Sequence, residues 1–107
     1  MEQAQLLKGV LEIAVLAVLD NGETYGYDIR SRLEEAGLNG VGDASVYGTL
    51  RRLEQAGHLT SRLAASPNGP ARKYYRVSDA GRTALRAGVD TWRRVEGALD
   101  LLLGSRR

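Results

Sequence analysis

SVYGTLRRLEQAGHLTSRLAASPNGPARKYYRV, residues 45–77, is the stretch that decides the architecture. Its first part has helical periodicity. Val46, Leu50, Leu53 and Ala56 recur at intervals of three and four, so they share one face. Asp43 or Ser45 can cap the start, and Gly57 is placed to stop the helix. Ser45, Thr49, Arg52 and Gln55 fall mainly off the apolar stripe, with Tyr47, Gly48 and Arg51 at its margins. Short polar, aromatic and guanidinium groups on one face can meet phosphates and base edges. The period then changes. Residues 59–65 and 72–77 read as two strands around Ser66-Pro67-Asn68-Gly69-Pro70. Asn and Gly tolerate positive φ there, and each proline fixes its own. Alternation places Arg72, Tyr74 and Arg76 on one face of the second strand and Lys73, Tyr75 and Val77 on the other.

Two helices precede this segment. One is expected over residues 5–19, where Leu6, Leu7, Val10, Leu11 and all of residues 13–19 are apolar. Such breadth requires cover on both sides, from the chain's own domain and from a partner helix. The other follows Thr24, read as its N-cap, with Tyr25, Ile29, Leu33 and Ala36 on one face and Gly37 as its stop. After the hairpin, Ser78 caps a long helix running to about residue 103. Leu85, Gly88, Trp92, Val95, Leu99 and Leu102 follow a three–four spacing that makes a coiled-coil seam. The helix outruns the hairpin, so dimerisation is the simplest cover for that seam.

The expected fold is mainly α with a small β-hairpin. Residues 1–77 form a winged helix-turn-helix and residues 78–107 a C-terminal dimerisation helix, together one compact unit. In such a fold the third helix enters the major groove of DNA. The charge map agrees. Net charge over 107 residues is only +2, yet residues 45–76 hold six cations against the single acid Glu54, whereas residues 1–44 hold three cations and eight acids. A concentrated positive block is the footprint of a polyanion-binding face, although a solvated basic surface is the plain alternative.

Composition narrows the rest. Hydrophobic content of 43% and charged content of 26% suit an ordered domain. The chain has no cysteine, which excludes disulfides, thiolate metal sites and cysteine nucleophiles. The longest apolar run, residues 13–19, is far below the roughly 20 residues of a membrane span. Glu2 and Glu12 also make a poor signal peptide, so a soluble, cytoplasmic protein is expected. His58, the lone histidine, follows a helix-ending glycine and reads as solvated or capping. Asp28, Glu34 and Glu35 read as a solvated helix face. No Gly-rich phosphate loop, nucleophile elbow or carboxylate pair is present, so no catalytic residue, metal or cofactor is expected.

Three stretches, LLKGVLEIAVLAVLDNGETYGYDIRSRLEEAG, SVYGTLRRLEQAGHLTS and ARKYYRVSDAGR, resemble the PadR family of bacterial transcriptional regulators. The resemblance covers nearly the whole chain, and its short C-terminal helix resembles the smaller subfamily. One departure is Gly48, where the family commonly has proline after the recognition-helix tyrosine. The resemblance implies a homodimeric repressor on a pseudo-palindromic DNA operator, released by an effector. By position it implies phosphate contacts from Tyr47, Lys73 and Tyr75, and a groove-facing set of Ser45, Thr49 and Arg51 or Arg52.

Trp92 lies in the seam and reads first as a packed interface aromatic. The resemblance adds a second reading. A multidrug-binding member has tryptophan at the matching place of its SWSRV segment, here TWRRV, which implies paired rings sandwiching flat aromatic compounds. Gly88, Val89 and Glu96 are its neighbours at helical spacing, and Leu6, Gly9 and Ile13 of the first helix would line the same space. Glu96 could attract a cationic ligand, as could the indole face. The functions weighed are therefore a DNA-binding repressor, a ligand-capturing dimer, and an interaction domain that keeps the wing without reading sequence.

Overall fold

The computed structural model describes residues 3–104, in the order α1 (Gln3–Leu7), α2 (Leu11–Asp20), β1 (Thr24–Tyr25), α3 (Gly26–Glu35), α4 (Asp43–Gln55), β2 (Leu59–Ser66), β3 (Gly69–Val77) and α5 (Asp79–Leu103). The outermost residues of the two expected units, 1–2 and 105–107, lie outside the described residues. The fold is mainly helical with a small antiparallel sheet, as expected from the change of period after Gly57.

One core joins the elements. Leu11, Val15, Leu16 and Leu19 of α2 meet Ile29 and Leu33 of α3, and Val46, Leu50 and Leu53 of α4. Leu59, Tyr75 and Val77 bring the sheet onto the same core. Helices α3 and α4 end in the same way. Gly37 and Gly57 have φ of 101° and 79°, and the following residues close the cap through Leu38 N–H to Leu33 O and His58 N–H to Leu53 O, each 2.9 Å. His58 thus completes a helix cap with its backbone.

Several expectations need correction. The first helix is split by a turn at residues 8–10, where Val10 N–H donates to Leu7 O. Gly9 is the weakest helix former in that run, which is where the helix yields. Thr24 is not the N-cap of α3; Tyr25 holds that position without a side-chain cap. Thr24 instead pairs with Tyr75 across β1 and β3, and its hydroxyl donates to Asp28 Oδ2 at 2.7 Å. Ala36 is exposed rather than on the buried face of α3.

The sheet therefore has three strands in the order β1-β3-β2. In the hairpin Leu59 lies opposite Val77 and Ser61 opposite Tyr75. The strands extend to Ser66 and Gly69, so the turn narrows to Pro67 and Asn68. Ser78 caps α5 as expected: its Oγ accepts from Gly81 N–H at 3.0 Å and donates to Gly57 O at 2.7 Å. The first turns of α5 return to the core through Ala84 and Leu85, and Gly88 abuts Ile13 of α2. Leu85, expected in the seam, is half-buried and packs against the core of its own chain. No helix among the described residues is long and apolar enough to cross a membrane.

Candidate nucleic-acid interface

Helix α4 has two unlike faces. Val46, Thr49, Leu50 and Leu53 are buried, and Ser45, Tyr47, Arg51, Arg52 and Gln55 are exposed. Thr49, expected in the groove-facing set, is 0% exposed. Its hydroxyl donates to Ser45 O at 2.7 Å, so the polar group is satisfied by its own helix and the methyl can join the core. Arg52 turns back toward the domain. Its Nη2 donates to Thr49 Oγ1 at 3.2 Å and its Nε lies 4.0 Å from Glu12 Oε1. Arg51 is exposed, one turn along the helix from Tyr47.

Tyr47 is 45% exposed and is set by a close approach. A Cβ on Gly26 would fall 2.5–2.6 Å from the Tyr47 ring and hydroxyl. The missing side chain at the start of α3 makes the seat on which the ring rests.

The wing carries its charges on both faces. On the outer face, Tyr25 and Tyr74 meet edge to face at 5.5 Å; Arg72 covers Tyr25 at 4.4 Å and Arg62 covers Tyr74 at 5.3 Å. Arg62 also pairs with Glu23, its Nη2 2.6 Å from Oε1. That hydrogen bond holds the Glu23 carboxyl below its ordinary range. Each cation–π contact contributes about 0.5–1 kcal/mol at such exposed sites. On the inner face, Lys73 Nζ lies 3.3 Å from Glu54 Oε1 and 5.5 Å from the centre of the Tyr75 ring. Ser61 Oγ donates to Glu54 Oε2 at 2.5 Å. Tyr75 is 5% exposed, and burial pushes its phenol up. Tyr75 therefore belongs to the core, contrary to its expected place at the surface, because its strand face is the one that packs on the helices.

A second region lies along α5. Leu6, Gly9, Val10 and Ile13 face Thr91, Trp92, Val95 and Leu99 across an open apolar groove of about 310 Å³. Leu6, Gly9, Ile13 and Trp92 lie together in this lining. Gly88 supports the groove through Ile13, while Val89 is half-buried outside its lining. Glu96 is also outside the lining and lies 3.5 Å from Arg93 Nη1. Val95, Leu99 and Leu102 of the expected seam are exposed, as are Leu101 and Leu103. Among the described residues no group of three or more His, Cys, Asp or Glu could hold a metal ion.

Glu54, Glu12, Glu23 and Gly26 were not among the expected site residues. For Glu54 a signal existed: it is the lone acid of the basic block, and alternation already put Lys73 on the core-facing side of β3.

Comparison with known proteins matches residues 15–87 to the model of the transcriptional regulator PadR-like family. A PadR-like transcriptional regulator from Bacillus cereus superposes with a TM-score of 0.82 at 35% identity, covering 92% of this chain and 96% of that one. A PadR family transcriptional regulator from Eggerthella lenta gives 0.83 at 31% identity, covering 94% and 87%. An uncharacterised protein of Lysinibacillus sphaericus is 26% identical over 105 residues, covering 96% of both chains.

Proposed function

The chain belongs to the PadR-like family of transcriptional regulators, and from that premise we propose that it is a homodimeric repressor of a pseudo-palindromic operator, released by a small planar hydrophobic or cationic effector. Members of the family are DNA-binding regulators, not enzymes. Helix α4 enters the major groove with Ser45, Tyr47 and Arg51 leading, and the wing follows the backbone through Lys73. Arg52, exposed but 4.0 Å from Glu12, joins them in competition with that carboxylate. The observation that carries this reading is the split of α4 into a core face and an exposed face of Ser45, Tyr47 and Arg51. The second half of α5 pairs with that of a second copy and gives each Trp92 a partner ring. Such a regulator works beside the chromosome in the cytoplasm.

Electrophoretic shifts over genomic fragments test the proposal. One fragment bound in excess competitor DNA supports it. Equal binding of every fragment, or none at low salt, overturns operator recognition and leaves an interaction domain. A second reading, ligand capture as the primary activity, is favoured by the apolar groove beside Trp92. The two are compatible, since an effector need only bind two dimer arrangements unequally.

A further inference from the structure

Glu54 sits in the last turn of α4 and touches both strands of the wing. One carboxylate oxygen, Oε2, takes the Ser61 hydroxyl of β2; the other, Oε1, faces the Lys73 ammonium of β3. The Tyr75 ring closes the third side of that ammonium. The arrangement does two things at once. It ties the end of the recognition helix to the root of the wing, and it occupies a cation with an internal anion.

An anion in that place competes directly with a DNA phosphate. While Lys73 pairs with Glu54 its charge is already offset, so it neutralises a phosphate fully only as it gives up Glu54, and Glu54 then faces the polyanion without its partner. Both costs fall on every duplex, whereas the gain depends on where the phosphate lies relative to α4. A half-exposed ion pair is weak, so a well-placed phosphate can displace it and a poorly placed one gains little.

We infer that Glu54 is a positioning and specificity-setting residue: it withholds Lys73 from the DNA backbone until a duplex fits α4 and the wing together. The inference deepens the DNA-binding reading above and rests on it. Its consequence is a lower affinity for DNA in general and a higher ratio of operator to non-operator binding.

The test compares wild type, Glu54→Gln and Glu54→Gln/Lys73→Gln on a mixed-sequence duplex across a salt series. Glutamine keeps an acceptor for Ser61 and removes the charge, and thermal melting checks that each variant is folded. In Glu54→Gln the freed Lys73 adds one phosphate contact, so the slope of log K against log salt steepens by about 0.9. Between about 50 and 200 mM salt this is about 3.5-fold additional loss of affinity. The double variant returns to the wild-type slope. A residue that only braces the wing would lower melting temperature and weaken binding with the slope unchanged. An unchanged slope in folded Glu54→Gln, or a steeper slope that persists in the double variant, overturns the inference alone. Wild-type protein that binds no duplex at low salt overturns the DNA-binding reading and this inference together.

Discussion

The backbone carbonyl of His58 occupies the space that a Cβ on Gly81 would need. The same carbonyl accepts from Ser78 N–H at 3.0 Å, so it cannot turn aside without unpicking the start of α5. The corner where α4 ends, β2 begins and α5 departs is therefore built around one absent side chain.

Gly81→Ala should lower stability by about 1–3 kcal/mol through overpacking, although alanine is the better helix former. Gly97→Ala, farther along α5 with nothing within 4 Å of its Cβ, should instead gain up to about 1 kcal/mol from helix propensity. Urea unfolding of the two variants measures the contrast. Equal effects would show that the corner yields and that the close approach is not a constraint.

Gly26→Ala should act on binding more than on stability. The added methyl meets the half-exposed end of Tyr47, which can swing away into solvent, so stability changes by no more than about 1 kcal/mol. DNA affinity should fall with the displaced ring and its hydroxyl. Fluorescence anisotropy on duplex DNA, with Tyr47→Phe alongside, separates loss of the hydroxyl from loss of the seat. Unchanged affinity in Gly26→Ala removes Tyr47 from the interface.

Stability should fall at both ends of the pH scale for identifiable reasons. The Ser61 hydrogen bond and the Lys73 ammonium hold Glu54 below its ordinary 4.5, and Arg62 does the same to Glu23. Their folded-state values are depressed, so their contribution is complete above pH 4.5 and is lost as pH falls through the lower folded values. Tyr75 is raised above its ordinary 10.0 by burial, so its contribution is complete below pH 10 and drains away as pH rises through the folded value. Glu23→Gln/Glu54→Gln should flatten the acid limb of a melting-temperature profile, and Tyr75→Phe the alkaline limb. Limbs as steep as wild type would place the titrations elsewhere.

Quenching of Trp92 fluorescence by a planar cationic dye should respond to the groove and not to Glu96. Ile13→Asp puts a charge into the lining and should abolish quenching. Glu96→Ala, outside the lining, should leave the half-saturating dye concentration within about twofold, since loss of a charge across solvent is worth little. The opposite ranking would mean that the dye sits on the Arg93–Glu96 face.

Val95→Asp/Leu99→Asp should leave a folded monomer by light scattering, because both side chains are half-exposed and neither belongs to the buried core. Losing the second recognition helix should cost the operator about 100-fold or more in affinity. A variant that stays dimeric would move the subunit contact off α5.

Much of this was legible because the signals were local. The stripe Val46, Leu50 and Leu53, the stop at Gly57 and the cap at Ser78 each depend on neighbours within a turn, and each stands where the pattern put it. What escaped depended on partners far along the chain or, for Thr49, on a hydrogen bond that its own helix supplies. Thr24 looks like a cap until Tyr75 takes it as a strand. Thr49 looks like a surface residue until its hydroxyl finds Ser45 O within the same helix, leaving no polar reason to stay in water. Leu85 obeys the heptad spacing, yet the first turns of α5 lie over α2 and half-bury it against its own chain. Lys73 bears a charge that suggests solvent; its alternation toward the core hinted at a partner, and the fold identifies that partner as Glu54.

One further property follows from the short reach of β1. It borders β3 at Tyr74 and Tyr75, so from Gly69 to Lys73 that strand has β2 alone for a neighbour. The bare margin is a template on which a stray strand could grow. Pro70 interrupts it by offering no N–H, and Arg72 and Lys73 bring charge that another such strand must also bury or repel. Quite apart from any nucleic acid, the cations of the wing keep crowded copies of this protein from zipping together at high concentration.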